Sequence, residues 1–384
     1  MSVTAAAGFT AAGVGAGLKP SGRDLALVVN TGPEKHAAAV FTTNRVAAAP
    51  VLWSQQAIDD GRAEAVVLNS GGANACTGPE GFADTHATAE HVAEALELSA
   101  QDVLVCSTGL IGTRLDMEAL LPGVDAAVGA LSDDAVSGEA AADAIRTTDS
   151  VAKTSQAAGT GFTVGGMAKG AGMLAPGMAT MLSVVTTDAV IAPADLDAAL
   201  REAVRVSFDR ADSDGCMSTN DTVVAMASGA NSDAVDLAEF QAALTAVCRD
   251  LAAQLIADAE GAAHEIAITT VRAASEADAE TAGRAVARSN LFKTAIFGRD
   301  PNWGRILSAV GTTDVAFDPA TIDVAVNGVT ICRSGGIGED RELVDLSGRQ
   351  VEVTIDLKAG DAEATILTND LTHDYVHENS AYSS

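Results

Sequence analysis

The stretch Lys169-Gly-Ala-Gly-Met-Leu-Ala-Pro-Gly-Met-Ala-Thr180-Met-Leu-Ser-Val-Val-Thr-Thr-Asp188 constrains this chain more than any other. Met181–Val185 is a short apolar run, partly β-branched, of the length of a buried strand, and Thr180 stands at its head. Gly170, Gly172, Pro176 and Gly177 give the approach a backbone that turns tightly and lets another group come close, since glycine reaches conformations closed to other residues. A hydroxyl placed there can attack the peptide bond before it, become a chain terminus, and then use its own α-amino group as base. Thr180 is therefore a candidate nucleophile. A glycine-rich loop leading into a strand is also a common structural turn, so the rest of the chain must decide.

At 384 residues the chain exceeds the roughly 250–300 at which a single core stops growing, so more than one lobe is expected. The pattern changes at a charge-rich helix expected over Ala274–Ser289, which places a main lobe at 1–280 and a C-terminal α/β lobe at 281–384. Hydrophobic content of 48% supplies core, while 36 glycines and only 3% aromatic residues allow elements to pack closely, which points to a layered α/β class. The net charge of −29, from 52 acidic against 23 basic residues, argues against nucleic acid and anionic membrane surfaces as partners, because both need the opposite sign. Five cysteines without a CxxC pair read as reduced thiols. No basic leader and no run of about 18 apolar residues is present, so a cytoplasmic location is expected.

Strands are expected at Ala26–Val29, Ala37–Phe41 and Ala65–Leu68, with a short helix starting or ending within Ile58–Glu64. The loop Asn69-Ser-Gly-Gly-Ala-Asn-Ala-Cys-Thr-Gly78 precedes a helix expected over Asp84–Glu97; it has the makeup of an anion cradle, or of a plain strand-to-helix turn, and it lacks the Gly-Lys-Ser/Thr of a nucleotide loop. A strand at Val103–Cys106 runs into Ser107-Thr108-Gly109. That dipeptide, common in turns, presents a hydroxyl and a backbone N–H side by side, as stabilising an oxyanion requires. Two acidic helices fill 115–146, and Thr147-Thr148-Asp149 then leaves the helical pattern. Gly159 to Gly166 superficially resembles a dinucleotide loop, but strand-like residues and then the Thr180 loop come after it where a helix should open.

Further on, a helix is expected at Pro193–Val206. Asp212 to Thr222 is a polar loop that lines a pocket rather than a calcium loop, because no Glu stands at loop position 12; the strand Val223–Ala227 follows. A helix over Leu237–Ala259 is closed by Glu260, whose carboxylate opposes the macrodipole and is either a solvated end or held there for a task. Phe297 to Arg305 either binds a carboxylate or is a folded corner, and strands are expected at 322–326, 329–332 and 350–356. His373 and His377 are four apart, but a third ligand is missing, so no metal site is expected.

Taken in order, Asn69–Gly78, Ser107-Thr-Gly-Leu-Ile-Gly112, Thr147-Thr148-Asp149, Gly166-Met-Ala-Lys-Gly-Ala-Gly-Met173, Ala179-Thr-Met-Leu182, Ser218-Thr-Asn-Asp-Thr222, Gly298-Arg-Asp-Pro-Asn-Trp-Gly304 and the Asn379-Ser-Ala-Tyr tail resemble the ornithine acetyltransferase family, often called ArgJ. The likeness is spread over nearly the whole chain. It implies a layered αββα sandwich of the self-cleaving ArgJ/DmpA-like type with a smaller C-terminal domain. It also implies an enzyme of arginine biosynthesis that moves acetyl from N2-acetylornithine to glutamate without a cofactor, after autocleavage between Ala179 and Thr180 into chains that assemble as an α2β2 heterotetramer. Carried over residue by residue, Thr180 is the nucleophile, Thr108 and Gly109 form the oxyanion hole, and Thr148, Lys169, Glu260, Asn379 and Ser384 contact substrate together with Thr180.

Arg146 stands before Thr-Thr-Asp where the family leads one to expect an apolar residue, which leaves the choice between Thr147 and Thr148 open; Ser70 and Ser384 keep a hydroxyl where threonine is usual. Acetyl-CoA as a second donor also stays open. Two other readings remain at this level: a self-processing aminopeptidase that passes the acyl group to water, and an acidic amino-acid-binding protein without chemistry.

Overall fold

The computed structural model describes residues 2–175, 181–231 and 235–381. The expectations placed on Ala179, Thr180 and Ser384 lie outside the described residues. The chain divides into two compact units, one of Met1–Asp209 with Cys216–Leu255, the other of Arg210–Gly215 with Ile256–Ser383.

The first unit contains, in chain order, β1 (Phe9–Val14), β2 (Leu25–Asn30), β3 (His36–Phe41), α1 (Ala49–Ala57), β4 (Ala65–Asn69), α2 (Gly78–Leu96), β5 (Val103–Ser107), α3 (Met117–Gly129), α4 (Ala135–Ala144), β6 (Lys153–Gly159), β7 (Phe162–Lys169), β8 (Leu182–Thr187), α5 (Pro193–Arg205), β9 (Thr222–Ala227) and α6 (Leu237–Ala257), which runs to the boundary. One sheet has the order β1-β2-β4-β5 and the other β3-β9-β8-β7-β6. Only β4–β5 and β8–β9 are parallel within them.

Every residue of β2, β4, β5, β8 and β9 is buried, which is why these segments read as continuous apolar runs. Between the sheets, Val28, Leu68 and Leu104 meet Met167, Leu182, Val184 and Val224. On the outer face of the first sheet, Leu27, Val67 and Val105 meet Val92 of α2 and Leu120 and Val124 of α3. On the outer face of the second, α5 lies against β3 and β9. Gly166 of β7 lets α6 come close there, since a Cβ on it would stand 3.0 Å from Val247 and 3.1 Å from Leu251. The layers therefore run α-β-β-α, as expected. Each buried Leu or Val contributes about 1.5–3 kcal/mol, so this stack is the unit's main source of stability.

Several local expectations shift. The helix before β4 is α1, entered through Pro50 and capped by Ile58, so of the two expected alternatives the helix ends at Ile58 and does not start there. Helix α2 starts at Gly78 with Pro79 in its first turn, six residues ahead of Asp84, because proline there forfeits no intrahelical bond. Gly159 pairs with Phe162 across a tight β6–β7 hairpin, so Thr160-Gly161 is a turn and not a phosphate loop.

The second unit contains β10 (Glu265–Ala273), α7 (Glu276–Ala287), α8 (Asn290–Phe297), α9 (Trp303–Val310), β11 (Asp323–Val326), β12 (Val329–Arg333), β13 (Gly336–Ile337), β14 (Gln350–Asp356), β15 (Ala362–Asn369) and α10 (His373–Ala381). Its sheet has the order β13-β12-β11-β14-β10-β15, parallel only between β10 and β14. Burial alternates along β10 and β14. Ile268, Val353 and Ile366 face a core shared with Ala282, Val286, Phe292 and Ile306. Residues 298–305 form a corner: Asn302 caps α9 through the Arg305 N–H, and the Arg305 guanidinium bonds the Leu291 carbonyl. Among the described residues no helix is long and apolar enough to cross a membrane.

Candidate active site

Strands β7 and β8 lie side by side with Lys169 opposite Leu182, and the sequence between these partners carries Ala179-Thr180. Lys169 is 1% exposed. Its Nζ donates to Thr147 Oγ1 at 2.7 Å and to Thr108 Oγ1 at 3.2 Å. Three segments far apart in sequence thus meet at one ammonium. The expected residues Thr108 and Lys169 come together, and the hydroxyl that Lys169 takes from the Thr-Thr pair is that of Thr147, next to Thr148.

Asp149 organises the same place. Its Oδ1 accepts from Lys153 Nζ at 2.7 Å and from the Gly170 N–H at 2.6 Å, and its Oδ2 accepts from the Thr147 N–H at 3.0 Å. Burial alone would push this carboxyl up, but the charges of Lys169 and Lys153 together with the N–H bonds outweigh it and hold it at about 2. One ionised carboxylate thereby fixes the loop carrying Thr147 and the first residue after β7. Sequence reading quoted Asp149 within a motif but gave it no role; its i,i+4 spacing to Lys153 was the available signal.

Thr108 ends the β5 segment, 2% exposed, and its N–H donates to the Asn69 carbonyl at 2.9 Å. Gly109 has φ +131, and a Cβ there would stand 2.8 Å from Gly72 N, so only glycine fits. Among the described residues no acceptor takes the Gly109 N–H. The Asn69–Gly78 loop, expected either to cradle an anion or to be a strand-to-helix turn, connects β4 to α2 and bonds backbone to backbone with 108–112: Gly72 bridges Thr108, Ala73 N–H donates to Leu110, and Gly112 N–H donates to Ala75. Its function in the structure is to brace Thr108 and Gly109. Since Lys169 donates to Thr108 Oγ1, the hydroxyl proton is directed elsewhere. A hydroxyl donor and an adjacent N–H donor are the elements of an oxyanion hole.

Glu260, 7% exposed, follows α6 by a turn, and Asn379 of α10 donates to its Oε2 at 2.9 Å. The same Nδ2 donates to the Tyr375 carbonyl at 3.0 Å, while Thr372 Oγ1 bonds the Gly261 carbonyl and anchors the start of α10. These two expected substrate contacts are thus neighbours within the second unit. Nearby in sequence, His264 Nδ1 and Asp370 Oδ2 lie 2.7 Å apart, buried. Of the polar loop expected at 212–222, Ser213, Asp214 and Gly215 line a cavity of about 180 Å³, and Asp212 beside them is held by Arg288 at 2.7 Å. His373 packs edge-on against Phe297, and among the described residues no group of three His, Cys, Asp or Glu could hold a metal ion.

A family model described as "ArgJ family" matches residues 10–384. The chain is similar to the arginine biosynthesis bifunctional protein ArgJ of Streptomyces coelicolor and to that of Thermobifida fusca, each 63% identical over 385 residues and covering 100% of both chains. Among solved structures it is similar to ornithine acetyltransferase complexed with ornithine from Mycobacterium tuberculosis, with 57% identity, 46% of this chain and 94% of that chain covered, and a TM-score of 0.43. By the match along its length and by its identity to these relatives, the chain belongs to the ArgJ family.

Proposed function

We propose that this protein acts in arginine biosynthesis as a glutamate N-acetyltransferase, carrying acetyl from N2-acetyl-L-ornithine to L-glutamate through an ester on Thr180, and that it also accepts acetyl-CoA as donor. The shared name of relatives 63% identical over the whole chain supports the pathway and the double activity. The single observation that carries the site assignment is the buried Lys169 joining the hydroxyls of Thr108 and Thr147 at the strand end that leads to Ala179-Thr180.

The steps balance as follows. Thr180 Oγ attacks the Ala179 carbonyl, the peptide C–N bond breaks, and an ester forms; water then releases the Ala179 carboxylate and a Thr180 amine. That amine, with a pKa near 8 against about 10.4 for lysine, is partly neutral at pH 7 and takes the hydroxyl proton. Thr180 Oγ next attacks the acetyl carbonyl of acetylornithine, whose oxyanion is held by the Thr108 hydroxyl and the Gly109 N–H. The C–N bond breaks and ornithine leaves with the proton on its amine. Glutamate's amine attacks the acetyl ester, N-acetylglutamate departs, and the hydroxyl is restored.

Each expected contact is proposed by itself: Lys169 and Thr148 for a substrate carboxylate, Glu260, oriented by Asn379, for a cationic side chain, and Ser384 as a further contact. The fragments 1–179 and 180–384 assemble as α2β2. Purified enzyme given labelled acetylornithine should form labelled N-acetylglutamate only when glutamate is present, and should form it from acetyl-CoA as well. Release of free acetate at the same rate without glutamate would overturn the reading in favour of a hydrolase.

A further inference from the structure

Asn220 and Asp221 lie in the polar segment before β9, and both side chains are buried. The Asn220 amide spends both of its hydrogens on backbone, donating to the Ala73 carbonyl at 2.6 Å and to the Ser107 carbonyl at 2.9 Å, while its oxygen accepts from Thr219 Oγ1 at 2.6 Å. The Ser107 carbonyl belongs to the same peptide unit as the Thr108 N–H, which donates to Asn69. That peptide is therefore gripped at both ends, which orients the Thr108 hydroxyl and the Gly109 N–H that follows it. The next side chain, Asp221, is bound to another segment: its Oδ1 accepts the Met181 N–H at 2.8 Å, one residue past Thr180 in sequence.

We infer that Asn220-Asp221 is a positioning element, in which one residue orients the oxyanion-binding peptide and the next fixes the first amide after the cleaved bond, so that two consecutive Cα atoms set their spacing. The inference deepens the acyl-transfer reading and rests on it. The sheet does not require this pair. Parallel pairing of Leu182 with Thr222 already joins β8 to β9. Burial pushes the Asp221 carboxyl well above its ordinary value, against the bonds it receives from the Met181 N–H and from Ser218. A buried carboxyl carries a desolvation cost that an apolar residue would not, and one that grips the backbone at the candidate reaction centre is retained for geometry.

The test uses the full-length protein. In Asn220→Asp, the ionised carboxylate faces two carbonyls with no hydrogen to give, whereas the protonated form can donate to one of them. The expected result at pH 8 is a fall of about 10²-fold in kcat for acetyl transfer with KM for acetylornithine within about threefold, as a misplacement of the reacting groups produces. Part of that loss should return as the pH falls toward 5.5, a recovery that a passive packing role would not give. In Asp221→Leu, which leaves the Met181 N–H without its acceptor, cleavage at 179/180 should slow by about tenfold or more, and Asp221→Asn should restore most of the rate because it keeps the acceptor.

Asn220→Asp enzyme with kcat within about threefold of wild type at pH 8, or Asp221→Leu chain that cleaves at the wild-type rate, would overturn the inference. If Asn220→Asp does not fold, Asn220→Ser replaces it, with one donor left and a loss without pH recovery expected; an unchanged kcat there is equally contrary. Wild-type enzyme that cleaves but makes no N-acetylglutamate would instead overturn the proposed function, and the cleavage arm would still judge the positioning role.

Discussion

Strands β2, β4, β5, β8 and β9 of the first unit are buried on both faces, whereas the sheet of the second shows one buried face and one open face along β10 and β14. The difference decides where each unit can keep its polar chemistry. A strand covered on both sides has no polar face, so Asn69, Ser107 and Lys169 stand at strand ends, with Thr108 just beyond, and the loops there hold one another through backbone bonds. An alternating strand carries polar residues along its length without exposing a reaction to them. In the second unit the candidate contacts Glu260 and Asn379 accordingly lie off the sheet, in the turn after α6 and on α10. The buried Lys169 of the first unit and the exposed Asn379 of the second are opposite solutions to holding a polar group still.

The contrast can be broken most severely in the layers themselves. Leu104→Ala, between the two sheets, should cost about 2–5 kcal/mol in urea unfolding, while Glu352→Ala on the open face of β14 should stay within about 0.5 kcal/mol. Similar losses at both sites would mean that the first unit is not held by its double-faced core. Next in size, Thr108→Val removes the hydroxyl donor and should lower kcat for acetyl transfer by about 10²–10³-fold, roughly 3–4 kcal/mol, with KM for acetylornithine nearly unchanged. A loss below tenfold would take Thr108 out of the oxyanion hole.

Acid tests the buried ion cluster. The Asp149 carboxyl is held at about 2, below its unfolded value near 3.9, so it contributes stability that is complete above the unfolded value and is lost as pH falls toward 2. That contribution is about 2 kcal/mol, and wild type should lose it between pH 5 and pH 2 relative to Asp149→Asn, read from urea midpoints. Parallel acid profiles would contradict it. Smaller still, Glu260→Gln keeps an oxygen for Asn379 but removes the charge, and should raise KM for acetylornithine about tenfold, roughly 1.4 kcal/mol, with kcat less affected. An effect on kcat as large as that of Thr108→Val would contradict a role in binding alone.

How much of this was legible in the sequence follows the same contrast. The continuous runs at Ala26–Val29, Ala65–Leu68, Val103–Cys106 and Val223–Ala227 identify β2, β4, β5 and β9, because burial on both faces leaves a short apolar block with sharp ends. β15, Ala362–Asn369, passed unread, since its apolar residues alternate with Glu363, Thr365 and Thr368 and no glycine or proline marks its far end. At the candidate site, Thr108 with Gly109 was readable because a hydroxyl beside a glycine carries a local chemical meaning. Asp149 and Asn220 were visible only as letters of a motif. Both act by gripping backbone atoms of segments tens of residues away, Gly170 for the one and Ala73 and Ser107 for the other, and no local pattern records such a contact.

The central claim is that Thr180 breaks the chain before it carries acetyl, and intact mass under denaturing conditions tests it most directly. Wild-type protein should give two fragments that meet between Ala179 and Thr180, while Thr180→Ala should give one chain of about 38.6 kDa without transferase activity. A single unbroken wild-type chain, or a Thr180→Ala protein that still divides and turns over acetylornithine, would contradict the account.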